Sequence, residues 1–178
     1  MKIELKNIRT NQRFSRETNC FTADVYVDGI KVGYAENDGN GGCTNVQPFS
    51  AATAEQFKKA EAWAKAQPKI KSEEFKFEYE SNLEHVVDNL LEDYLDSKHM
   101  EKETNRLNKA LVKDMLKNIC YRTADMKAPN YAMCFWKGFT IEQILATEKG
   151  RTVLQNTVDK MKADGKTILN TNLKGITL

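Results

Sequence analysis

The sequence is poor in proline, glycine and cysteine and has no long apolar run, and these features mark several large classes of protein. Its 178 residues include 3 Pro, 9 Gly and 4 Cys, and 40% of them are apolar. This composition excludes a collagen-like chain, a disordered chain and a disulfide scaffold. No run of about 18 apolar residues occurs, so we expect no membrane span. A chain of this length suits one domain and can bury roughly 70% of its unfolded surface.

Metal-ligating residues are scarce and scattered. The chain has only 2 His, neither of them near a pair of cysteines, and no Cys-x-x-Cys motif. Structural zinc sites usually bring their ligands in closely spaced pairs. We therefore predict no metal and no cofactor. The four cysteines are most simply small buried side chains in a reducing cytosol: Cys20, Cys43, Cys120 and Cys134.

The first residues do not resemble a secretion signal, because MKIELKNIRTNQRF alternates charged and apolar residues without an apolar core. We expect a cytoplasmic protein. Charge is uneven along the chain: residues 1–69 carry a net +2, residues 70–100 a net −6 and residues 101–178 a net +6. This asymmetry predicts an acidic face and a basic face, whereas a pI near 8.2 makes nucleic-acid binding by bulk charge unlikely.

The N-terminal third alternates apolar and polar residues with the period of a strand. Ile3 and Leu5 begin the pattern, and Phe21 to Val27 and Ile30 to Tyr34 continue it on either side of Asp28-Gly29. Asp-Gly between two alternating runs predicts a hairpin with a type I′ turn. We expect a three-stranded antiparallel meander here.

The middle of the chain changes to helical spacing. Thr53 with Gln56 and Ser81 with Glu84 are possible capping boxes, and a further helix is predicted over about Met100 to Leu116. The stretch from Phe75 to Tyr79 alternates like a strand, but it is short and its intervening residues are charged, so it stays ambiguous. This middle part is acidic, and residues 52–117 could be a helical insert in a single domain covering residues 1–178.

The last third mixes short strands and helices. Strands are predicted at Ile119 to Thr123, Tyr131 to Trp136 and Thr167 to Leu169. Between the last two, a helix opens at Thr140, is interrupted at Gly150, resumes and ends at Asp164-Gly165. The fold class that follows is α+β, a mostly antiparallel sheet with an N-terminal three-stranded meander and helices packed on one face.

Two loops are candidates for ligand or partner binding. One consists of Asn37, Asp38, Gly39, Asn40, Gly41 and Gly42, which follow a strand. Backbone N–H groups in such a loop can form a nest for an anion, but the spacing matches neither a P-loop nor a dinucleotide fingerprint. A plain turn that needs glycine is the alternative. The second loop contains Asn170 and Asn172. Their side-chain amides could form hydrogen bonds with a ligand, or they could instead form hydrogen bonds with the backbone of an Asx turn. Together the two loops could form one polar pocket.

Other clusters are weaker candidates. One of them mixes aromatic and basic side chains and could hold a base, although a tryptophan there is more often a core residue: Tyr121, Arg122, Trp136 and Lys137. The acidic positions Glu84, Asp88, Glu92 and Asp93 follow helical spacing and are typical of a solvated helix face. We predict no catalytic residues. Of the four cysteines, Cys43 is the best placed to act as a nucleophile, because it lies beside the glycine-rich loop. We nevertheless expect that it does not act as one.

The stretch Thr18-Asn19-Cys20-Phe21, the hairpin around Asp28-Gly29, the glycine-rich loop and the terminal Ile168 to Asn172 resemble small proteins of bacteriophages and mobile elements. This resemblance covers about a quarter of the chain and implies an intracellular accessory protein that binds host factors. If the protein is encoded by a phage, its expected compartment is the cytoplasm of the host cell. We therefore expect a non-enzymatic intracellular binding protein, such as an inhibitor of host or defence machinery. It would act through a protein partner, from host or phage, or through a captured phosphorylated ligand. The alternative is an enzyme acting on a nucleotide or another phosphorylated small molecule.

Overall fold

A computed structural model describes residues 1–72, 77–136 and 138–178. The chain divides into two compact units, residues 1–97 and residues 98–178, and each is described by itself. That the chain forms a single domain with an insert at 52–117 stays a prediction. Within the described ranges, every helix is either too short or too polar to span a bilayer.

Unit 1 is built on a four-stranded antiparallel sheet. Its strands are β1 (Ile3–Thr10), β2 (Phe21–Val27), β3 (Ile30–Asn37) and β4 (Asn45–Pro48), in the spatial order β1-β2-β3-β4. The predicted meander is confirmed, and β4 extends it by one strand. β4 escaped prediction because its four residues, Asn-Val-Gln-Pro, offer no alternation of apolar and polar side chains.

The turn between β2 and β3 has the predicted geometry. Asp28 has φ +48° and Gly29 has φ +87°, and these two residues connect Val27 to its partner Ile30. Positive φ at both central residues is what a type I′ turn requires, and its twist matches that of the flanking strands.

One face of this sheet is covered by helices. The helices are α1 (Ala54–Lys65) and the first turns of α2 (Leu83–Asp114). The buried side chains of sheet and helices form one apolar cluster: Ile3, Phe21, Ala23, Val25, Val27, Val32, Ala35, Phe57, Ala60, Ala64, Leu83, Val87 and Leu91. Alternate strand residues therefore face this core, and the others point to the opposite face of the sheet.

The helix starts differ from the predicted capping boxes. Thr53 makes no side-chain cap for α1, because its hydroxyl donates back to the Ser50 carbonyl oxygen. At α2 the cap is Asn82, whose Oδ1 accepts the His85 backbone N–H at 2.8 Å. Between the two helices lie β5 (Ile70–Ser72) and β6 (Phe77–Tyr79), a two-stranded antiparallel ribbon. Phe75 lies outside the described residues.

The prediction of a separate helix from Met100 is wrong, since α2 runs without a break from Leu83 to Asp114. Residues 96–102 are all exposed, so the apolar stripe disappears there although the backbone stays helical. No Gly or Pro interrupts this stretch, and Lys98 pairs with Glu101 one turn further on. Such a helix segment is held by its own hydrogen bonds and side-chain pairs rather than by packing.

Among its described residues, unit 2 contains the end of α2, a three-stranded antiparallel sheet and two further helices. The strands are β7 (Asn118–Arg122), β8 (Ala132–Phe135) and β9 (Thr167–Ile168), in the order β8-β7-β9. The helices are α3 (Ile141–Leu145) and α4 (Glu148–Ala163). Their buried side chains form a second apolar cluster: Ile119, Ile141, Ile144, Leu154, Val158, Met161, Leu173 and Ile176.

Three of the predicted helix ends in unit 2 can be compared with the structure. Thr140 and Gln143 form a full capping box at α3, and Gly165 follows the end of α4 with φ +74°, as expected. Gly150, however, does not interrupt a helix. It lies in the first turn of α4, where its N–H donates to Thr147 Oγ1 at 3.0 Å.

We predict that Gly29→Ala destabilises the protein by about 1 kcal/mol or more, because a Cβ disfavours positive φ. The free energy of unfolding from urea titration measures this effect. Gly42→Ala is the matched control, since a Cβ at Gly42 would meet nothing within 4 Å and no left-handed φ is needed there. Equal losses in both variants would contradict the assigned turn geometry.

Candidate functional site

The glycine-rich loop connects β3 to β4 and lies against the loop between β1 and β2. The Gly39 carbonyl oxygen accepts the backbone N–H groups of Arg16 at 2.9 Å and Glu17 at 3.0 Å. A Cβ on Gly39 would come within 2.9 Å of Cys20 Cβ and would also overlap the Phe14 carbonyl, and Gly39 has φ +85°. Glycine is therefore required at position 39 by both space and backbone conformation.

Asn37, the last residue of β3, holds the two loops together. It is 9% exposed. Its Oδ1 accepts the Thr18 hydroxyl and the Gly39 N–H, each at 2.8 Å, and its Nδ2 donates to the Gly42 carbonyl oxygen at 2.9 Å. One amide side chain thus satisfies polar groups from three places in the chain.

Three backbone N–H groups of this loop already have partners within the protein. Gly39 N–H donates to Asn37, Asn40 N–H donates to Asp38 Oδ1 at 3.0 Å, and Gly41 N–H donates to Thr18 Oγ1 at 3.3 Å. An anion nest needs such groups to point at a ligand. Three of the N–H groups on which the predicted phosphate capture rested are therefore occupied by the protein's own oxygen atoms.

The loop nevertheless borders two recesses of unit 1. The larger, of about 740 Å³, lies beside Asn37, Asp38 and Gly42. It also contains a row of side chains that the strand register aligns across all four strands of the sheet: Arg9, Thr22, Glu36 and Asn45.

The smaller recess, of about 320 Å³, lies between the same loop and α2. Four carboxylates line it, and we call it the acidic recess: Glu17, Glu84, Asp88 and Glu92. The last three are spaced by four residues, which places them on one face of α2. No Lys or Arg among the described residues forms an ion pair with any of the four.

Thr44 fixes the loop to α2 at this recess. Its backbone N–H donates to Glu84 Oε1 at 3.1 Å, and its hydroxyl donates to Asp88 Oδ1 at 2.6 Å. Thr44 is itself buried. The position of the carboxylates relative to the glycine-rich loop therefore depends on one threonine.

Burial raises the pKa of Asp88, with the neighbouring Glu84 charge adding to the rise and the Thr44 hydroxyl opposing it. The Glu84 carboxylate in turn raises the pKa of the Cys43 thiol. A thiol with a raised pKa is a poor nucleophile at neutral pH. Asp38 is held ionised, because hydrogen bonds from Asn40 lower its pKa.

The second predicted loop belongs to unit 2, next to β9. Asn170 is 2% exposed, and its Oδ1 accepts the Cys120 N–H at 2.6 Å. Its Nδ2 donates to the Asn118 carbonyl oxygen at 3.0 Å and to Asn172 Oδ1, also at 3.0 Å. The amide of Asn172 donates to the Met115 carbonyl oxygen at 2.7 Å. These amides hold β7 and the chain after β9 together.

Arg122 and Trp136 also lie in unit 2. Arg122 Nε donates to the Asn130 carbonyl oxygen at 2.9 Å, which anchors the turn between β7 and β8. Trp136 packs against the apolar cluster of unit 2, and its buried Nε1 has no partner among the described residues. Lys137, the other basic residue of this candidate, lies outside the described residues.

Sequence reasoning missed how the acidic recess is assembled. The spacing of Glu84, Asp88 and Glu92 was recognisable, but it indicates a solvated face equally well. Nothing local in the sequence indicates that Glu17 and Thr44 reach the same helix. Asp93, grouped with these residues by sequence, does not line the recess.

Comparison with known proteins identifies no relative: no family model matches the chain, and no curated protein or solved structure is significantly similar to it.

We predict that Asn37→Ala lowers the free energy of unfolding by about 2 kcal/mol or more, because it leaves a buried N–H and a carbonyl oxygen without partners. Urea unfolding measures this loss. Gln12→Ala, which removes an exposed amide side chain from the neighbouring loop, is the control and should have almost no effect. Similar values for the two variants would show that Asn37 does not hold the loops together.

We also predict that Asp88→Asn raises the melting temperature at pH 7. Since folding raises the pKa of Asp88, its ionised form costs stability, and this cost develops as pH rises from the ordinary value of 3.8 through the folded-state pKa. Asparagine keeps an oxygen for the Thr44 hydroxyl but carries no charge. The gain should therefore shrink towards zero below pH 3.8. Thermal melts from pH 3 to 8 test this, with Asp93→Asn as control; a gain independent of pH would contradict it.

Proposed function

We propose that this protein is a non-enzymatic binding protein whose acidic recess receives a basic segment of a partner protein. The observation that carries the proposal is the set of four carboxylates that line one recess without an ion-pairing Lys or Arg among the described residues. Uncompensated charge in a recess creates a potential that attracts the opposite charge.

The same charge disfavours a phosphorylated ligand. A phosphate at the glycine-rich loop would lie near Asp38 and Glu17. Three of the loop N–H groups that could offset this repulsion, those of Gly39, Asn40 and Gly41, already have partners. Of the two kinds of ligand expected from the sequence, a protein partner is therefore the one that this geometry favours.

The spacing of the carboxylates suits a peptide better than a single ion. Within the described residues, no three His, Cys, Asp or Glu side chains are grouped so that they could hold a metal ion. Residues four apart on a helix are about 6 Å apart along the axis, and alternate residues of an extended chain are about 7 Å apart. Alternate Lys or Arg residues of an extended segment would thus match Glu84, Asp88 and Glu92 in turn.

The pKa directions agree with binding rather than catalysis. The raised pKa of Cys43 opposes a thiolate, and the lowered pKa of Asp38 opposes its use as a general base near neutral pH. The resemblance to bacteriophage and mobile-element proteins adds the proposal that the partner is a host or defence protein.

To test this, we would titrate the full chain with a labelled peptide of alternating Lys and Ser and follow its fluorescence anisotropy. We expect binding that weakens with salt, and we expect the double variant Glu17→Gln, Glu92→Gln to weaken it by ~10-fold or more. Asp93→Asn removes one charge from the same helix outside the recess and should change affinity little.

Three results would reject the proposal. These are no binding of the basic peptide at low salt, equal weakening by Asp93→Asn, and tighter binding of ADP than of the peptide. Spermine serves as a further probe, since binding of spermine as tight as that of the peptide would indicate a polyamine site instead of a protein-binding site.

A further inference from the structure

Unit 2 contains a cleft that the proposed function does not use. It has a volume of about 640 Å³ and lies beside α3, the start of α4 and the chain after β9. We call it the C-terminal cleft, and six of its lining residues carry the inference: Leu116, Leu145, Ala146, Arg151, Asn172 and Lys174. Volumes of this size are typical of sites that receive a ligand or a partner side chain.

Part of the lining of the cleft is apolar and exposed. Leu116 is 57% exposed, and its place is fixed because its carbonyl oxygen accepts the Ile141 N–H at 2.9 Å. Phe139, the chain neighbour of the lining residue Thr140, is 63% exposed. Two large apolar side chains thus face solvent close to one cleft, which is typical of a surface that another molecule covers.

Two cations line the same cleft on well-anchored parts of the chain. Arg151 Nη1 donates to the Leu145 carbonyl oxygen at 2.6 Å, which ties the guanidinium group to the end of α3. Lys174 lies between Leu173 and Ile176, which are both buried in the apolar cluster of unit 2.

These cations lack ion-pair partners within the described residues. No carboxylate there lies within ion-pair distance of Arg151 or Lys174. A single carboxylate, Glu142, also lines the cleft, so positive charge exceeds negative charge there. The whole segment 101–178 carries a net +6, which adds a long-range attraction for acidic molecules.

The Asn172 side chain forms part of the wall and is held by bonds within the protein. Its Nδ2 donates to the Met115 carbonyl oxygen and its Oδ1 accepts from Asn170. Asn170 therefore holds Asn172, which lines the cleft, in place. Lys174, two residues further along the chain, adds a positive charge to the lining.

We propose that the C-terminal cleft is a docking site for an acidic segment of a partner protein that inserts a large apolar side chain. Leu116, Leu145 and Ala146 would receive the apolar side chain, and Arg151 and Lys174 would pair with carboxylates on either side of it. Charge complementarity selects an acidic occupant. Phe139, next in the chain to the lining residue Thr140, is also exposed, and a protein segment is long enough to contact it as well as the cleft.

The test uses the full chain and three labelled peptides of equal length, with binding measured by fluorescence anisotropy. The probe is Asp-Asp-Leu-Phe-Asp-Asp, and its comparators are Asp-Asp-Gly-Gly-Asp-Asp and Lys-Lys-Leu-Phe-Lys-Lys. We expect the probe to bind at least ~10-fold more tightly than the glycine comparator. In the double variant Glu17→Gln, Glu92→Gln, whose acidic recess is weakened, we expect it also to bind at least ~10-fold more tightly than the lysine comparator, because the cleft requires both apolar contact and negative charge.

Two variants test whether the probe peptide binds in the C-terminal cleft. We expect Lys174→Glu and Leu116→Ser each to weaken the probe by ~10-fold or more, since the first reverses a charge and the second removes apolar surface from an exposed position. Lys127→Glu makes the same charge change at an exposed position of unit 2 that does not line the cleft, and it should have little effect. Melting temperatures confirm that each variant is folded.

Several results would overturn this inference: no binding of the probe up to ~1 mM, equal binding of the glycine comparator, or equal weakening by Lys127→Glu. Binding of decanoate as tight as that of the probe would assign the cleft to small amphiphilic anions instead. The double variant Glu17→Gln, Glu92→Gln should leave probe binding unchanged, so failure of the acidic recess and failure of this cleft are distinguishable.

Discussion

The candidate site of unit 1 depends on the hydrogen bonds of one buried amide. Asn37 ends β3, accepts from Thr18 and Gly39 and donates to Gly42, so it fixes two loops that are distant in sequence. Thr44 then fastens the same loop to Glu84 and Asp88 of α2. Because a buried polar group without a partner is costly, the loops have little freedom to rearrange without losing several hydrogen bonds at once.

Unit 2 also has a buried asparagine whose side chain forms hydrogen bonds with parts of the chain that are distant in sequence. Asn170 joins Cys120, Asn118 and Asn172, and thereby ties the chain after β9 to β7. In both units, asparagines that look like ligand-binding residues serve as internal cross-links, since their side chains offer a donor and an acceptor in fixed directions. The proposed binding surfaces lie beside these cross-links and are formed by charges without ion-pair partners among the described residues: carboxylates in the acidic recess and cations in the C-terminal cleft. The protein thus presents two recesses of opposite charge, each beside an asparagine whose own polar groups are satisfied.

Much of the secondary structure could be predicted because it follows from local signals. The hairpin at Asp28-Gly29, the capping box of Thr140 and Gln143 and the α+β class all follow from patterns within a few residues, and the structure confirms them. The errors occur where local signals are weak or misleading. β4 has too few apolar residues to be recognised, and α2 continues through an exposed stretch in which helical periodicity of apolar residues cannot be seen. Asn82 rather than Ser81 caps α2, a choice between adjacent capping residues that depends on the path of the preceding chain.

The amino-acid sequence alone determined where most strands and helices form and where the acidic and basic residues are concentrated, because these properties depend on side-chain periodicity, turn chemistry and composition. Tertiary structure decided which charged groups share a recess. Glu17 joins Glu84 and Asp88 only when the loop after β1 and the helix α2 meet across the glycine-rich loop, and Lys174 joins Leu116 only when the end of the chain packs against the residues before β7. Contacts between residues far apart in the chain depend on packing of the whole unit, and no pattern of neighbouring residues records them.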